Sequence, residues 1–500
     1  MTRASIDSAD PPGVPGTVKP ADGSGTHGSL ELPSPTSPIE RVMSTVIRKL
    51  AWSRLADPKV AVTLAGVGLL LGILVGATAP NTATLQIRLP LSHILPSLGH
   101  YDVLTLVLLY AGDIFACMGL AGMLWAHSQG WRPDARHLLL VSGAVVAVMV
   151  SLTPVGSSDT ASYASFGRIT AQGGNPWTTS PQAWLTGHPS FLPYYNVVGK
   201  VWKNQVSVYG PIATWVQKFA AWIGGPNVAT TIWVLMILNG LVFIGVGWLL
   251  LNTSDDPVRA TLLWTANPVL IQQLVSGGHL DTFQAAAAIC AIQVARRVSG
   301  LWGDVLIGVL IGLACGVKIN AVLVALGLAW PLLRRHEWMR LTRIVAASLV
   351  TLGALYSFYG LAALKPLIAG SKWVILPSPW RLVQAAGEWI GEALGQSPAH
   401  AQATMTTIIS PLWVIALIVI AWFIYQRISS DQPREVVAPF ALTFAWVLAA
   451  PWVFPWYTAI AWVTLTQVPR NRMTRWLAIV TVLLAVWHSG GGQGGTAGQL

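Results

Sequence analysis

Apolar residues run along this chain in long blocks, and short loops between them carry most of the charge. A helix needs ~20 apolar residues to cross a bilayer core. Read by that length and by the turn residues at their ends, the blocks predict spans at 60–79, 103–126, 136–153, 229–251, 257–275, 281–297, 302–316, 318–333, 341–363, 405–427, 436–450, 456–468 and 473–488. The expected fold is all-α and polytopic, with about 13 transmembrane helices.

Two stretches break the pattern. Residues 154–210 are the longest polar interruption, and they open with Asp159 just after an apolar block. Inside it Tyr163, Phe166, Gly167 and Thr170 recur at helical spacing and Gly173-Gly174 end the run, which predicts an amphipathic helix lying at the interface. Asn175-Pro176-Trp177 and Tyr209-Gly210-Pro211 read as turns. Residues 211–224 are amphipathic but short for a span, so a re-entrant or interfacial helix is expected there.

Composition supports a membrane protein: 53% of the residues are hydrophobic and 10% charged, against ~25% charged in soluble domains. The net charge of +11 does not indicate a nucleic-acid partner, because the basic residues sit in loops between spans and read as a topology signal. With the N-terminus cytoplasmic, most Lys and Arg fall inside, including Arg296-Arg297, Arg334-Arg335 and Arg470–Arg475. The loop 154–210, the turns SGGHLD at 276–281 and GVKIN at 316–320, the loop 364–404 and the turn PWVFPWY at 451–457 then share the outer face. Residues 1–40, rich in Pro, Gly, Ser and Thr, are expected to be a disordered tail. A membrane domain over 41–490 follows, its first residues (41–59) a basic interfacial helix, and 491–500 is expected to be a flexible tail.

The candidate chemistry sits on the outer face. Asp159 reads either as a general base taking the proton of an attacking sugar hydroxyl or as a helix cap, and one residue can do both. Arg168 suits a pair with Asp159 or with a phosphate. Asn175 and Tyr209 shape the loop or offer polar groups to a sugar. His279 can donate to a phosphate or orient a hydroxyl, while Asp281 either caps the next helix or joins the site. Lys318, a lone ammonium between apolar blocks, meets an anion or snorkels to water. Trp456 and Tyr457, with Trp452, form an aromatic belt or stack on a sugar or lipid tail. Lys372 and Arg381 are further phosphate candidates. Cys117, Cys290 and Cys315 lie in apolar segments without metal-ligand spacing, and no carboxylate cluster calls for a metal or other cofactor.

At these residues the chain resembles the actinobacterial polyprenol-phosphate-mannose-dependent α-1,6-mannosyltransferases, GT-C membrane glycosyltransferases that extend mannan on lipomannan and lipoarabinomannan precursors. The resemblance rests on D-T-x-S-Y at Asp159–Tyr163, G-x-N-P over Gly173–Pro176, Tyr209-Gly210-Pro211, G-G-H-x-D at Gly277–Asp281 and the lone Lys318. Trp177 stands where the pattern has Tyr, and Leu280 where it has Asn. The resemblance implies a GT-C-like fold, Asp159 as the catalytic aspartate, a polyprenyl-phosphate-sugar donor, a glycolipid or mannan acceptor, and inverting transfer on the extracytoplasmic side of the plasma membrane. Transfer of another sugar such as arabinose, and a lipid-linked sugar flippase or transporter, are the rival readings.

Overall fold

The computed structural model describes residues 54–99, 101–370, 373–375, 378–428 and 433–488. The expected tails at 1–40 and 491–500, most of the basic helix at 41–59, and Lys372 lie outside the described residues.

The described chain is all-α. The principal helices are α1 (Pro58–Ala77), α2 (Asp102–Ser128), α3 (Ala135–Met149), α4 (Asp159–Ala171), α5 (Pro211–Gly224), α6 (Val228–Thr253), α7 (Asp281–Arg297), α8 (Gly300–Val317), α9 (Val322–Arg334), α10 (Trp338–Ser357), α11 (Pro379–Ala393), α12 (Pro398–Arg427), α13 (Arg434–Ala449) and α14 (Met473–His488). Local signals start them where the chain allows. Asp57 accepts from the Lys59 amide with Pro58 at the first helical position, and Asn227 accepts from the Thr230 amide.

Six of these helices, rather than about 13, are long and apolar enough to cross a membrane: α1, α2, α6, α8, α10 and α12. The other expected spans are helical but shorter or broken. Ala135–Met149, Ile319–Arg334 and Met473–His488 are apolar helices of 10–17 residues. The block at 257–275 is interrupted instead: a helix at Pro257–Leu263 stops before Asn267-Pro268, and a π-turn at Ile271–Val275 leads into the SGGH turn. Proline cannot donate to the preceding turn, so the helix restarts, with Asn267 capping Val269 and Leu270. Broken backbone at such depth persists only where its polar groups find partners in protein. Here the Val155 amide donates to the Ser276 carbonyl (3.1 Å) and the His279 amide to that of Leu274 (3.0 Å).

The expectation for α4 also changes. It is not laid on the surface: residues 160–167, Ile169 and Thr170 are all buried. Its small residues Ala161, Ser162, Ala164, Ser165 and Gly167 let neighbours close in from several sides. A methyl group on Gly167 would stand 2.2 Å from the Gln217 carbonyl oxygen of α5. The segment at 211–224 is a 14-residue helix packed on α4, with Ala213, Thr214, Gln217, Ala220 and Ala221 buried.

Candidate active site

The polar turns converge at one end of α7, and the basic Arg296-Arg297 turn lies at the other. Asp281 opens α7, while Arg296 near its end pairs with Asp255 (2.7 Å). A helix of 17 residues separates the two by ~25 Å.

Asp159 stands at the start of α4, but its carboxylate makes no capping bond to the helix. Its amide donates to Ser157 Oγ (3.1 Å), and its Oδ2 accepts from the Tyr163 hydroxyl one turn on (3.2 Å). The same oxygen lies 3.5 Å from Nδ1 of His279, and the Asp159 side chain keeps 17% of its exposure. Burial by itself would raise this carboxyl. The His279 imidazole beside it, with His488 and Lys318 further off, outweighs burial and holds it below the ordinary carboxylate value. Tyr163 meets the Tyr209 hydroxyl at 2.8 Å. Burial, then the charge of Asp159, pushes both phenols well above their ordinary range, so both stay protonated.

The SGGH turn delivers His279. Gly278 has φ +64°, and a side chain there would strike Met236 and Thr160 at 2.5 Å. His279 lies flat on Trp456, with ring centroids 3.7 Å apart and 10° between planes. Asn239, from the middle of α6, donates to the His279 carbonyl and to Thr282 Oγ1.

Asp281 likewise does not cap its helix: it pairs with the Lys318 ammonium at 2.9 Å. Lys318 follows α8 in extended backbone, held by Gln284, which donates to its carbonyl (3.0 Å) and to Asn320 Oδ1 (2.6 Å). The ammonium lies 3.2 Å from the centre of the Tyr457 ring and 5.5 Å from that of Tyr209. The Tyr-Gly-Pro turn closes directly on this segment: the Gly210 amide donates to Val317 (3.0 Å), and a methyl group on Gly210 would meet the Gly316 oxygen at 2.2 Å.

Eight of the ten singled-out side chains therefore form one connected cluster: Asp159, Tyr163, Tyr209, His279, Asp281, Lys318, Trp456 and Tyr457. Arg168 stays outside it. Nine residues beyond Asp159, it points to the opposite side of α4, and its guanidinium lies over Tyr194 (5.9 Å) rather than against Asp159. Asn175 also stays outside: it accepts from the Trp177 amide (3.0 Å), and Trp177 in turn donates to the Tyr209 carbonyl (2.7 Å). Three supporting residues escaped the sequence reading: Asn239, Gln284 and His488, whose ring packs edge-on to Trp456 at 4.8 Å. Asn239 and Gln284 carried a usable signal, since an amide inside an apolar helix is costly without a partner.

Polar atoms remain unpaired in the cluster. Asp281 Oδ2 and Trp456 Nε1 are buried without a hydrogen-bond partner, which a ligand's hydroxyls would remedy. No group of three or more His, Cys, Asp or Glu gathers as a metal set among the described residues. Two clefts among the described residues are lined by neither Asp159 nor Lys318, although one is bounded by Trp452, which donates to the Tyr457 hydroxyl (3.2 Å).

Comparison with known proteins identifies relatives of the chain. The family profile described as "Alpha-(1->6)-mannopyranosyltransferase, N-terminal domain" matches residues 60–334, which contain every cluster residue except Trp456 and Tyr457. Alpha-(1->6)-mannopyranosyltransferase A of Corynebacterium glutamicum is 22% identical over 394 residues, 72% of this chain and 77% of that protein. The protein of the same name from Mycobacterium tuberculosis is 25% identical over 392 residues, 73% and 72% of the two chains. Alpha-(1->6)-mannopyranosyltransferase B of Corynebacterium glutamicum is 27% identical over 221 residues, 41% and 36%. No solved structure matches. A multi-pass helical membrane protein whose polar turns gather at one helix end, matched by this profile over more than half its length, belongs to the alpha-(1->6)-mannopyranosyltransferase family of membrane glycosyltransferases.

Proposed function

We propose that this protein transfers mannose from a polyprenyl-phosphate donor to a mannan-type acceptor on the extracytoplasmic side of the membrane, with inversion. The single observation that carries the reading is the meeting of Asp159 and Lys318, far apart in sequence, in one buried cluster bridged by Tyr209, His279 and Asp281.

The reaction is one in-line displacement. The acceptor hydroxyl oxygen attacks the anomeric carbon while Asp159 Oδ2 takes its proton. The bond from that carbon to the phosphate oxygen breaks, and its electron pair leaves on the polyprenyl phosphate. Asp159 suits the role because its carboxyl is held ionised and its side chain is not sealed from solvent. His279 stabilises the carboxylate and is fixed by Trp456 and Asn239. The ammonium of Lys318 faces charge developing on the leaving phosphate, and Asp281 and Tyr457 aim it. A phosphate leaving group needs no strong general acid.

Orientation follows from charge. The Arg296-Arg297 turn lies at the end of α7 opposite the cluster, which supports a cytoplasmic N-terminus and an extracytoplasmic site, with 154–210 as the catalytic loop. There a lipid-phosphate donor replaces a cytosolic nucleotide-sugar.

The test is Asp159→Asn in purified protein supplied with polyprenyl-phosphate-mannose and an (α1→6)-mannan acceptor. Expected is loss of polyprenyl phosphate release, with thermal unfolding close to wild type. Near-normal transfer by the variant removes Asp159 from the mechanism, and lipid movement without bond cleavage favours a flippase.

A further inference from the structure

A cleft of about 500 Å³ adjoins the cluster, and the mechanism makes no use of it. Three tryptophans from separate segments line it. The Trp202 ring centre is 6.0 Å from that of Trp373 and 6.5 Å from that of Trp452, and Trp373 is 4.6 Å from Trp452. Arg381, Gln384 and Gln402, from α11 and α12, also line it.

Gln384 is the decisive residue. It is 4% exposed and lines the cleft, yet its amide has no hydrogen-bond partner among the described residues. That amide is not among the sealed polar atoms, so it opens on the cleft, where a ligand's hydroxyls can take the place of water. Arg381 is held in place by Glu388 at 3.2 Å.

The chemistry of the lining selects the ligand. A lipid tail would cover the indoles but strand the two glutamines and the guanidinium. A pyranose matches both: its C–H face lies on an indole and its hydroxyls meet amides and guanidinium. The volume falls in the roughly 300–1,000 Å³ range of ligand sites. Trp452 joins the cleft to the cluster, since its indole donates to Tyr457 (3.2 Å), whose ring lies beneath the Lys318 ammonium.

We propose that this cleft binds the acceptor oligosaccharide through sugar residues set back from the reacting hydroxyl; the proposal rests on the transferase reading above. Affinity for the acceptor then grows with its length until the cleft is filled, while the reacting end stays at Asp159.

The test needs neither donor nor turnover. Purified full-length protein is titrated with a linear (α1→6)-linked mannotetraose, and tryptophan fluorescence is followed. Expected is a saturable change whose Kd rises about tenfold in Trp373→Ala and in Gln384→Leu. Gln384→Leu keeps the volume and removes an unpartnered amide, so it guards against a variant that merely misfolds. No saturable binding by wild type, or wild-type affinity in both variants, overturns the proposal. So does a fluorescence change produced by polyprenyl phosphate and not by the tetrasaccharide, which would make the cleft a lipid site. Transfer by Asp159→Asn would sink the catalytic assignment and leave this measurement standing, so the two failures are distinct.

Discussion

The Lys318–Asp281 pair separates a structural role from a chemical one. The ammonium and carboxylate are 2.9 Å apart, with side chains 11% and 2% exposed. At an effective dielectric of about 20 the gross attraction at that distance is about 6 kcal/mol. Desolvating two ions costs several kcal/mol each, so the pair comes out near break-even against an apolar replacement. Removing one partner is different. Lys318→Met leaves a buried carboxylate whose Oδ2 already lacks a partner, and about 3–5 kcal/mol of stability is lost. The double variant Lys318→Met/Asp281→Leu strands no charge and recovers most of that loss. Unfolding followed by tryptophan fluorescence in mild detergent measures stability, and polyprenyl phosphate release measures transfer. Transfer is absent from both variants, because neither brings an ammonium to the leaving phosphate. If Lys318→Met is as stable as wild type, the electrostatic account of the pair is wrong. If the stable double variant still transfers, Lys318 has no part in the reaction.

Other outcomes follow from the same geometry. Because the Asp159 carboxyl is held below its ordinary value, kcat/KM stays flat from neutral pH down to about 5 and its acid limb falls below the ~3.9 of an unperturbed aspartate; a limb near pH 6 would contradict this. In stability the sign is the usual one for a depressed carboxyl: its contribution is present above the unfolded value and is lost as pH falls through the lower folded one. Gly210→Ala places a methyl group against the Gly316 carbonyl oxygen at 2.2 Å, two residues from Lys318. It should cost about 1–3 kcal/mol and lower transfer sharply, whereas Gly187→Ala, with open space around it, changes neither. Gln284→Leu removes both bonds that hold the Lys318 segment. A loss of about 1–3 kcal/mol should come with a lower kcat, read by thermal unfolding and steady-state transfer.

What the sequence disclosed, and what it hid, divides along physical lines. Helix type and position follow from apolar run length, so all thirteen expected segments contain helix. Spanning does not follow from run length, because a proline or a buried amide inside an apolar run can break it without lowering its hydropathy. Asn267-Pro268 does this at 257–275, whereas the GVKIN turn at 316–320 separates α8 from α9 as expected. These breaks form the candidate site: His279 and Asp281 follow the π-turn, Lys318 sits where α8 stops, and Trp456 and Tyr457 lie in a 3₁₀ turn before a short helix. Run length reads a break as a failed span, while a lone ionisable residue beside it reads as chemistry, and the second signal located the cluster. The direction of Arg168 was also derivable, since a nine-residue separation on a helix places it opposite Asp159. The burial of α4 was not, because a face of Ser, Thr and Ala looks the same in sequence whether it meets water or a close-packed helix. Its neighbours decide: Gly167 against Gln217 admits no side chain between them, so α4 carries Asp159 on a rigid, enclosed element rather than on a mobile loop. The general-base role proposed for Asp159 needs that placement, because a carboxylate that wandered by an ångström would lose its hold on an acceptor hydroxyl.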